Sequence, residues 1–210
     1  MHRRRFLQSA AGFGAAATMP LTVSRGLFAA SLPSDLTSLS ATDLSIAIRE
    51  QHASCVEVMQ AYLSRIHAYN PVYNAIISMV DDDELLRQAR EADQALARGD
   101  YRGWMHGMPH AAKDLTAVAG LPHTMGSPLF ADRIAEEDSS LVARIRSEGA
   151  IFVGKTNTPE FGLGSQTYNP VFGATGSAYD PELTSGGSSG GAASGLGTHM
   201  LPVADGSDMM

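Results

Sequence analysis

The chain has 210 residues, 44% hydrophobic and 18% charged, enough for one domain with a proper core or for part of a larger one. Its single cysteine, Cys55, excludes an internal disulfide framework and any cysteine-rich zinc module. The net charge of -7 hides an asymmetry: Arg3, Arg4, Arg5 and Arg25 fall in the first thirty residues, which hold no acid, and the remainder carries 11 basic against 22 acidic residues. Such a surface repels phosphate backbones and argues against nucleic-acid binding.

Residues 1–30 read as an export signal. Arg3-Arg4-Arg5-Phe6-Leu7-Gln8 precedes a weakly apolar stretch rich in Ala and Gly, and small residues follow near Ala29 and Ala30, where cleavage is expected. The Arg-Arg-x-Phe-Leu core is similar to a twin-arginine signal, which passes folded proteins to the twin-arginine export machinery. The stretch is too weakly apolar for a membrane span, which needs about 20 strongly apolar residues. The expected location is the periplasm or outside a bacterial cell, with residues 31–210 as the folded part; a disordered basic tail is the alternative.

Ser40 is placed to cap a helix over Ala41 to Gln51. Ser54-Cys55-Val56-Glu57 has the form of a capping box, opening a helix with Val58, Met59, Tyr62, Leu63 and Ile66 on one face and an expected stop at Asn70-Pro71. Residues Ala75 to Met79 read as a short strand, and Asp81 to Arg98 as a third helix ended by Gly99. His52 and His67 read as surface histidines.

At Trp104 the texture changes. Pro109-His110-Ala111-Ala112-Lys113-Asp114-Leu115 sets a lysine in a short, mostly apolar strand. An exposed strand lysine is unremarkable, whereas a lysine buried in a central strand loses its charge more readily and can serve as a general base. His106 and His110, four apart without further metal context, are weak evidence for a metal site. Gly120 to Ser127 reads as a loop. Ser139 or Ser140 then caps a helix through Glu148, and Ile151-Phe152-Val153-Gly154 reads as a buried strand. Helix followed by buried strand at this spacing argues for an α/β layer architecture.

A long irregular segment, Leu163 to Ser185, leads to Thr184-Ser185-Gly186-Gly187-Ser188-Ser189-Gly190-Gly191-Ala192-Ala193-Ser194-Gly195, with five glycines and four serines in twelve residues. Alone, this run fits either a flexible linker or a tight catalytic turn, since glycine permits positive φ and close backbone approach. A small-residue helix is expected over Ala192 to Thr198 and a buried strand over Met200 to Ala204.

Three segments taken together resemble the amidase signature family of serine hydrolases: Gly107-Met108-Pro109 with Lys113-Asp114; Val153-Gly154-Lys155-Thr156-Asn157 with Pro159-Glu160-Phe161; and Gly186-Gly187-Ser188-Ser189-Gly190-Gly191. The similarity spans roughly residues 36–210. It implies an α/β fold, a mixed β-sheet flanked by helices on both faces, here incomplete. It also implies hydrolysis of a small-molecule carboxamide to carboxylate and ammonia or amine by a Ser–cis-Ser–Lys triad, with no metal or other cofactor. By the resemblance, Lys113 is the triad lysine and Ser188 the bridging serine after a cis peptide bond, with Gly187, Ser189 and Asp208 in support.

The resemblance also sets a departure. The family's nucleophile lies in a Gly-(Ser/Thr)-Asp-x-Gly-Gly-Ser run, whose opening Gly206-Ser207-Asp208 matches. The attacking serine is then expected two residues past Met210, and Ser207 is not it. Met209 and Met210 fall where the family forms its oxyanion hole from backbone N–H groups, with Met210 in place of the usual first glycine. The expectation is an N-terminal fragment, inactive as it stands, with an unpaired sheet edge that favours aggregation. Two alternatives stay open: the glutamine-hydrolysing A-type subunit of a tRNA-dependent amidotransferase, which the export signal opposes, and a non-catalytic exported binding protein on the same scaffold. A glycine-rich phosphate loop is opposed by the missing Gly-Lys-Ser/Thr ending and the acidic balance.

Overall fold

A computed structural model of the chain describes residues 32–208; the expected export signal and the two terminal methionines, Met209 and Met210, lie outside the described residues. Side-chain oxygens start the helices where the sequence offers them. Ser40 accepts from Asp43 N at the head of α1 (Ala41–Arg49), and Ser54 and Glu57 form both halves of the capping box of α2 (Cys55–Tyr73). Asp81 accepts from Asp83 N and Glu84 N at the head of α3 (Asp82–Ala97). Asp93 of α3 also reaches across to α2, accepting from Cys55 N at 2.7 Å and Val56 N at 3.2 Å. That bridge locks the two helices together over buried Val58, Met59, Tyr62, Leu63, Ile66, Leu85 and Ala89. Burial of each of the larger apolar side chains contributes about 1.5–3 kcal/mol.

The second helix runs past its expected stop. Pro71 sits in the last turn, where it forfeits a single hydrogen bond, and Asn74 in the left-handed region (φ 47°) supplies the C-cap. The Asn70 side chain instead serves the chain beyond: its Oδ1 accepts from Ala75 N and Ile76 N, and its Nδ2 donates to Ile76 O.

β1 (Ile76–Ile77), shorter than expected, joins β2 (Pro109–Lys113) and β3 (Ile151–Thr156) in a mixed sheet of order β1-β3-β2. β3 runs antiparallel to β1 and parallel to β2, with Lys113 opposite Thr156 and Ala112 opposite Lys155. The link from β2 to β3 contains α4 (Ser140–Ser147), capped by Ser139. Val142 of α4 packs with Ala112, Val118 and Phe152, and the partly buried Leu121 and Ile145 close that cluster. β2 is therefore at the margin of this sheet, not at its centre, yet all five of its residues are buried.

Two further expectations are corrected. The segment from Leu163 to Ser185 is not irregular: β4 (Tyr168–Asn169) pairs with β5 (Gly173–Ala174), and β6 (Gly176–Ser177) with β7 (Asp180–Thr184). The first hairpin turns on the Asn169 side chain, which accepts from Val171 N and Phe172 N, and on Gly173 at φ 82°. Conversely, no strand forms over Met200 to Ala204. After α5 (Gly190–Gly197), Met200 and Leu201 are buried, but their N–H groups go to Gly195 O, and residues 202–204 join no ladder among the described residues. No helix among the described residues is long and apolar enough to cross a membrane.

Candidate active site

Strand alternation sends neighbouring side chains to opposite faces of the sheet. Lys113 leaves β2 toward the Gly/Ser turn and is fully buried. Its Nζ lies 2.7 Å from Ser188 Oγ, 2.9 Å from Ser189 Oγ and 3.0 Å from Ser207 Oγ, with Ser207 O at 3.2 Å. Burial pushes the amine below the usual lysine range, while the Asp205 and Asp208 carboxylates oppose that shift. An amine that loses its proton more readily, at hydrogen-bond distance from a hydroxyl, can take that hydroxyl's proton.

The Gly/Ser run is a packed turn, not a linker. The Gly187–Ser188 peptide bond is cis, and Gly186 has φ 75°. Thr167 Oγ1 clamps both ends, donating to Gly186 O at 2.7 Å and accepting from Gly190 N at 3.0 Å. Thr158 Oγ1 donates to Ser188 O at 3.1 Å, and Gly191 N donates to Asn157 O at 3.2 Å. Asn157 is itself held, its Nδ2 donating to Gly173 O and Thr175 Oγ1 while its Oδ1 accepts from Asn169 Nδ2. Glycine at 191 is a requirement of close approach: a Cβ there would stand 2.3 Å from Asn157 N.

On the other face, Lys155 Nζ meets Asp114 Oδ1 at 2.9 Å, with both side chains fully buried, and Thr124 Oγ1 donates to Asp114 Oδ2 at 2.6 Å. Burial pushes Lys155 down, and the Asp114 carboxylate pulls it back. Burial and the nearby Lys155 charge also push His123 down.

Lys113, Ser188, Ser189 and Ser207 thus converge on one point, with Gly187 beside them; Asp208 is exposed, near enough for its charge to act on Lys113. Met209 and Met210, expected at the oxyanion hole, lie outside the described residues. His52 and His67 are exposed beside Glu50 and Asp82. His106 is buried against Ala92 O, and His110 faces Asp205; among the described residues no group of three or more His, Cys, Asp or Glu could hold a metal. Thr158, Thr167, Asn157 and Asp205 had no expected role, although Asn157 lies in one of the segments that carry the family resemblance. For Asp205 there was one signal: an acid that ends a buried apolar stretch needs a partner. For Thr158 and Thr167 there was none, since their partners are backbone atoms of the distant turn; Asn157 meets that turn through its own backbone O.

A mixed sheet with helices, carrying a buried lysine against serines in a glycine-built turn, places the chain in the α/β class. It belongs to the amidase family, whose model, described as Amidase, matches residues 57–209. The acylamidase of Rhodococcus erythropolis is 39% identical over 170 residues, 81% of this chain and 35% of the relative. The A-type subunit of glutamyl-tRNA(Gln) amidotransferase from Salinispora tropica is 39% identical over 174 residues, 83% of this chain and 35% of the relative. The native peptide amidase of Stenotrophomonas maltophilia superposes with a TM-score of 0.74 at 29% identity, over 82% of this chain and 36% of that one. The chain therefore spans about a third of the length of the curated relatives it matches.

Proposed function

We propose that the protein to which this chain contributes hydrolyses a small-molecule carboxamide to carboxylate and ammonia or amine through a lysine–serine–serine relay. Neutral Lys113 takes the Ser188 proton, Ser188 takes the proton of the attacking serine, and the alkoxide adds to the amide carbonyl. The same path in reverse protonates the leaving nitrogen. The attacking serine belongs to the run that Gly206-Ser207-Asp208 opens, and backbone N–H groups at 209 and 210 stabilise the oxyanion. In the whole protein, helices cover both faces of a larger sheet. The observation that carries this reading is the 2.7 Å approach of Nζ of the buried Lys113 to Ser188 Oγ.

The test is paired. Residues 1–210 alone release no ammonia from aliphatic or aromatic amides, whereas the full natural protein does so and is labelled covalently by a serine-directed phosphonate. Ammonia release by residues 1–210 that vanishes in Lys113→Ala, or a folded full protein that takes no label, would overturn the reading. The Arg-rich N-terminus carries the further proposal of twin-arginine export to the periplasm or beyond; a reporter fused behind residues 1–30 that stays in the cytoplasm would defeat it.

The similarity to the glutamyl-tRNA(Gln) amidotransferase of Salinispora tropica supports a second reading, glutamine hydrolysis feeding a transfer step. Glutamine consumed faster than simple amides by the full protein would favour that reading over the first.

A further inference from the structure

Asp205 stands outside the relay but is joined to its base from two directions. Its side chain is 8% exposed, and its two oxygens lie 3.1 and 3.2 Å from the Lys113 backbone N, which donates to them. Oδ1 is also 3.3 Å from Nε2 of buried His110, whose ring packs edge-on against Phe152. Two residues further along, Ser207 O and Oγ reach the Lys113 amine, and Ser207 N donates to Ser189 Oγ at 3.1 Å. The segment after α5 has no strand ladder to hold it among the described residues, and the Asp205 carboxylate is its anchor on the backbone of β2.

We propose that Asp205 is a positioning residue for the relay: it pins the segment leading to the attacking serine against the end of β2 and lays a negative charge beside the relay lysine. The proposal rests on the relay reading above. Asp205 faces His110 and Lys113 from β2, its charge is felt by Lys155 of β3, and Asp208 follows in its own segment. A purely structural acid would support the backbone without acting on the Lys113 amine. A positioning acid acts on both, because a carboxylate favours the charged form of a nearby amine.

The experiment uses the full natural protein labelled with 13C-lysine, following the Lys113 Cε resonance against pH. Asp205→Asn keeps an acceptor for the Lys113 N–H and removes the charge. The expected result is a fall of about half a pH unit or more in the Lys113 midpoint, with the rising limb of kcat/KM moving by the same amount and the melt nearly unchanged. An unmoved Lys113 midpoint in folded Asp205→Asn overturns the proposal. Should that variant fail to fold, Asp205→Ser, whose hydroxyl also accepts, gives the same reading. Because the resonance reports on the lysine directly, it decides the role of Asp205 even if the full protein proves to hydrolyse no amide, the outcome that would sink the relay reading instead.

Discussion

Lys113 and Lys155 are both fully buried on adjacent strands of one sheet, and they leave it on opposite faces to opposite surroundings. Lys155 meets a carboxylate at 2.9 Å, while Lys113 meets serine hydroxyls from 2.7 Å. The alternation of a strand makes the division unavoidable: Ala112, not Lys113, lies opposite Lys155, and Asp114 turns to the Lys155 side. One lysine is thereby an ion-pair member that holds the layer together. The other is an amine with hydroxyl partners, suited to moving protons.

In the full protein, Lys113→Ala is expected to lower kcat by about 10²–10⁴-fold with little change in KM, the signature of losing an acid–base group. Ser188→Ala falls in the same range. In the proposed relay the two act as a unit, so the double variant is expected to lose little more than either single one; ammonia release under saturating amide checks all three.

The pH dependence follows from the direction of the Lys113 shift. The proposed relay needs the neutral amine, so kcat/KM is expected to rise with pH through a midpoint below the ordinary lysine value of 10.5. Between that depressed midpoint and 10.5 the unfolded chain binds more protons than the folded one, so stability falls as pH drops through the same window. Lys113→Met is expected to flatten this slope and to raise stability below it, because no ammonium then loses its solvation on folding. Urea titrations across a pH series measure both effects.

Breaking the buried pair on the other face is expected to be costly. Lys155→Met leaves the Asp114 carboxylate buried without its cation and destabilises the protein by about 3–5 kcal/mol. Replacing both, as Lys155→Met with Asp114→Leu, regains most of that loss. Chemical denaturation of the two variants side by side tests this, and a single variant no weaker than the double would contradict it.

The packing of the turn gives a fourth prediction. Gly191→Ala drives a methyl into Asn157 and is expected to cost about 1–3 kcal/mol, the usual range for overpacking. Thr167→Val keeps the volume but strips the Gly186 carbonyl and Gly190 N–H of their shared partner, at about 1–3 kcal/mol. Both variants are expected to lower activity beyond their loss of stability, read as kcat at a temperature where each is fully folded.

Much of this chain is legible in its sequence. Ser40, Ser54 and Ser139 announce their helices because a cap is a local bond, made within three residues of itself. The lysine strand and the Gly/Ser run were visible as candidates, and their resemblance to one family named a relationship between Lys113 and Ser188. What the sequence left open was decided partly by competing local bonds and partly over distance. Pro71 did not end its helix, because Asn74 and the Asn70 side chain supplied another way out. The stretch from Leu163 to Ser185 formed hairpins, because Asn169 folds back on its own backbone and Thr175 and Thr167 tie the hairpins to α2 and the turn. Residues 202–204 stayed out of any ladder among those described, and Asp205 took up the Lys113 N–H instead. The burial of Lys113 was not decided by its neighbours in sequence alone. It required β2, the turn at 188 and the segment at 205–207 to meet, and only the tertiary structure brings residues that far apart within hydrogen-bond distance.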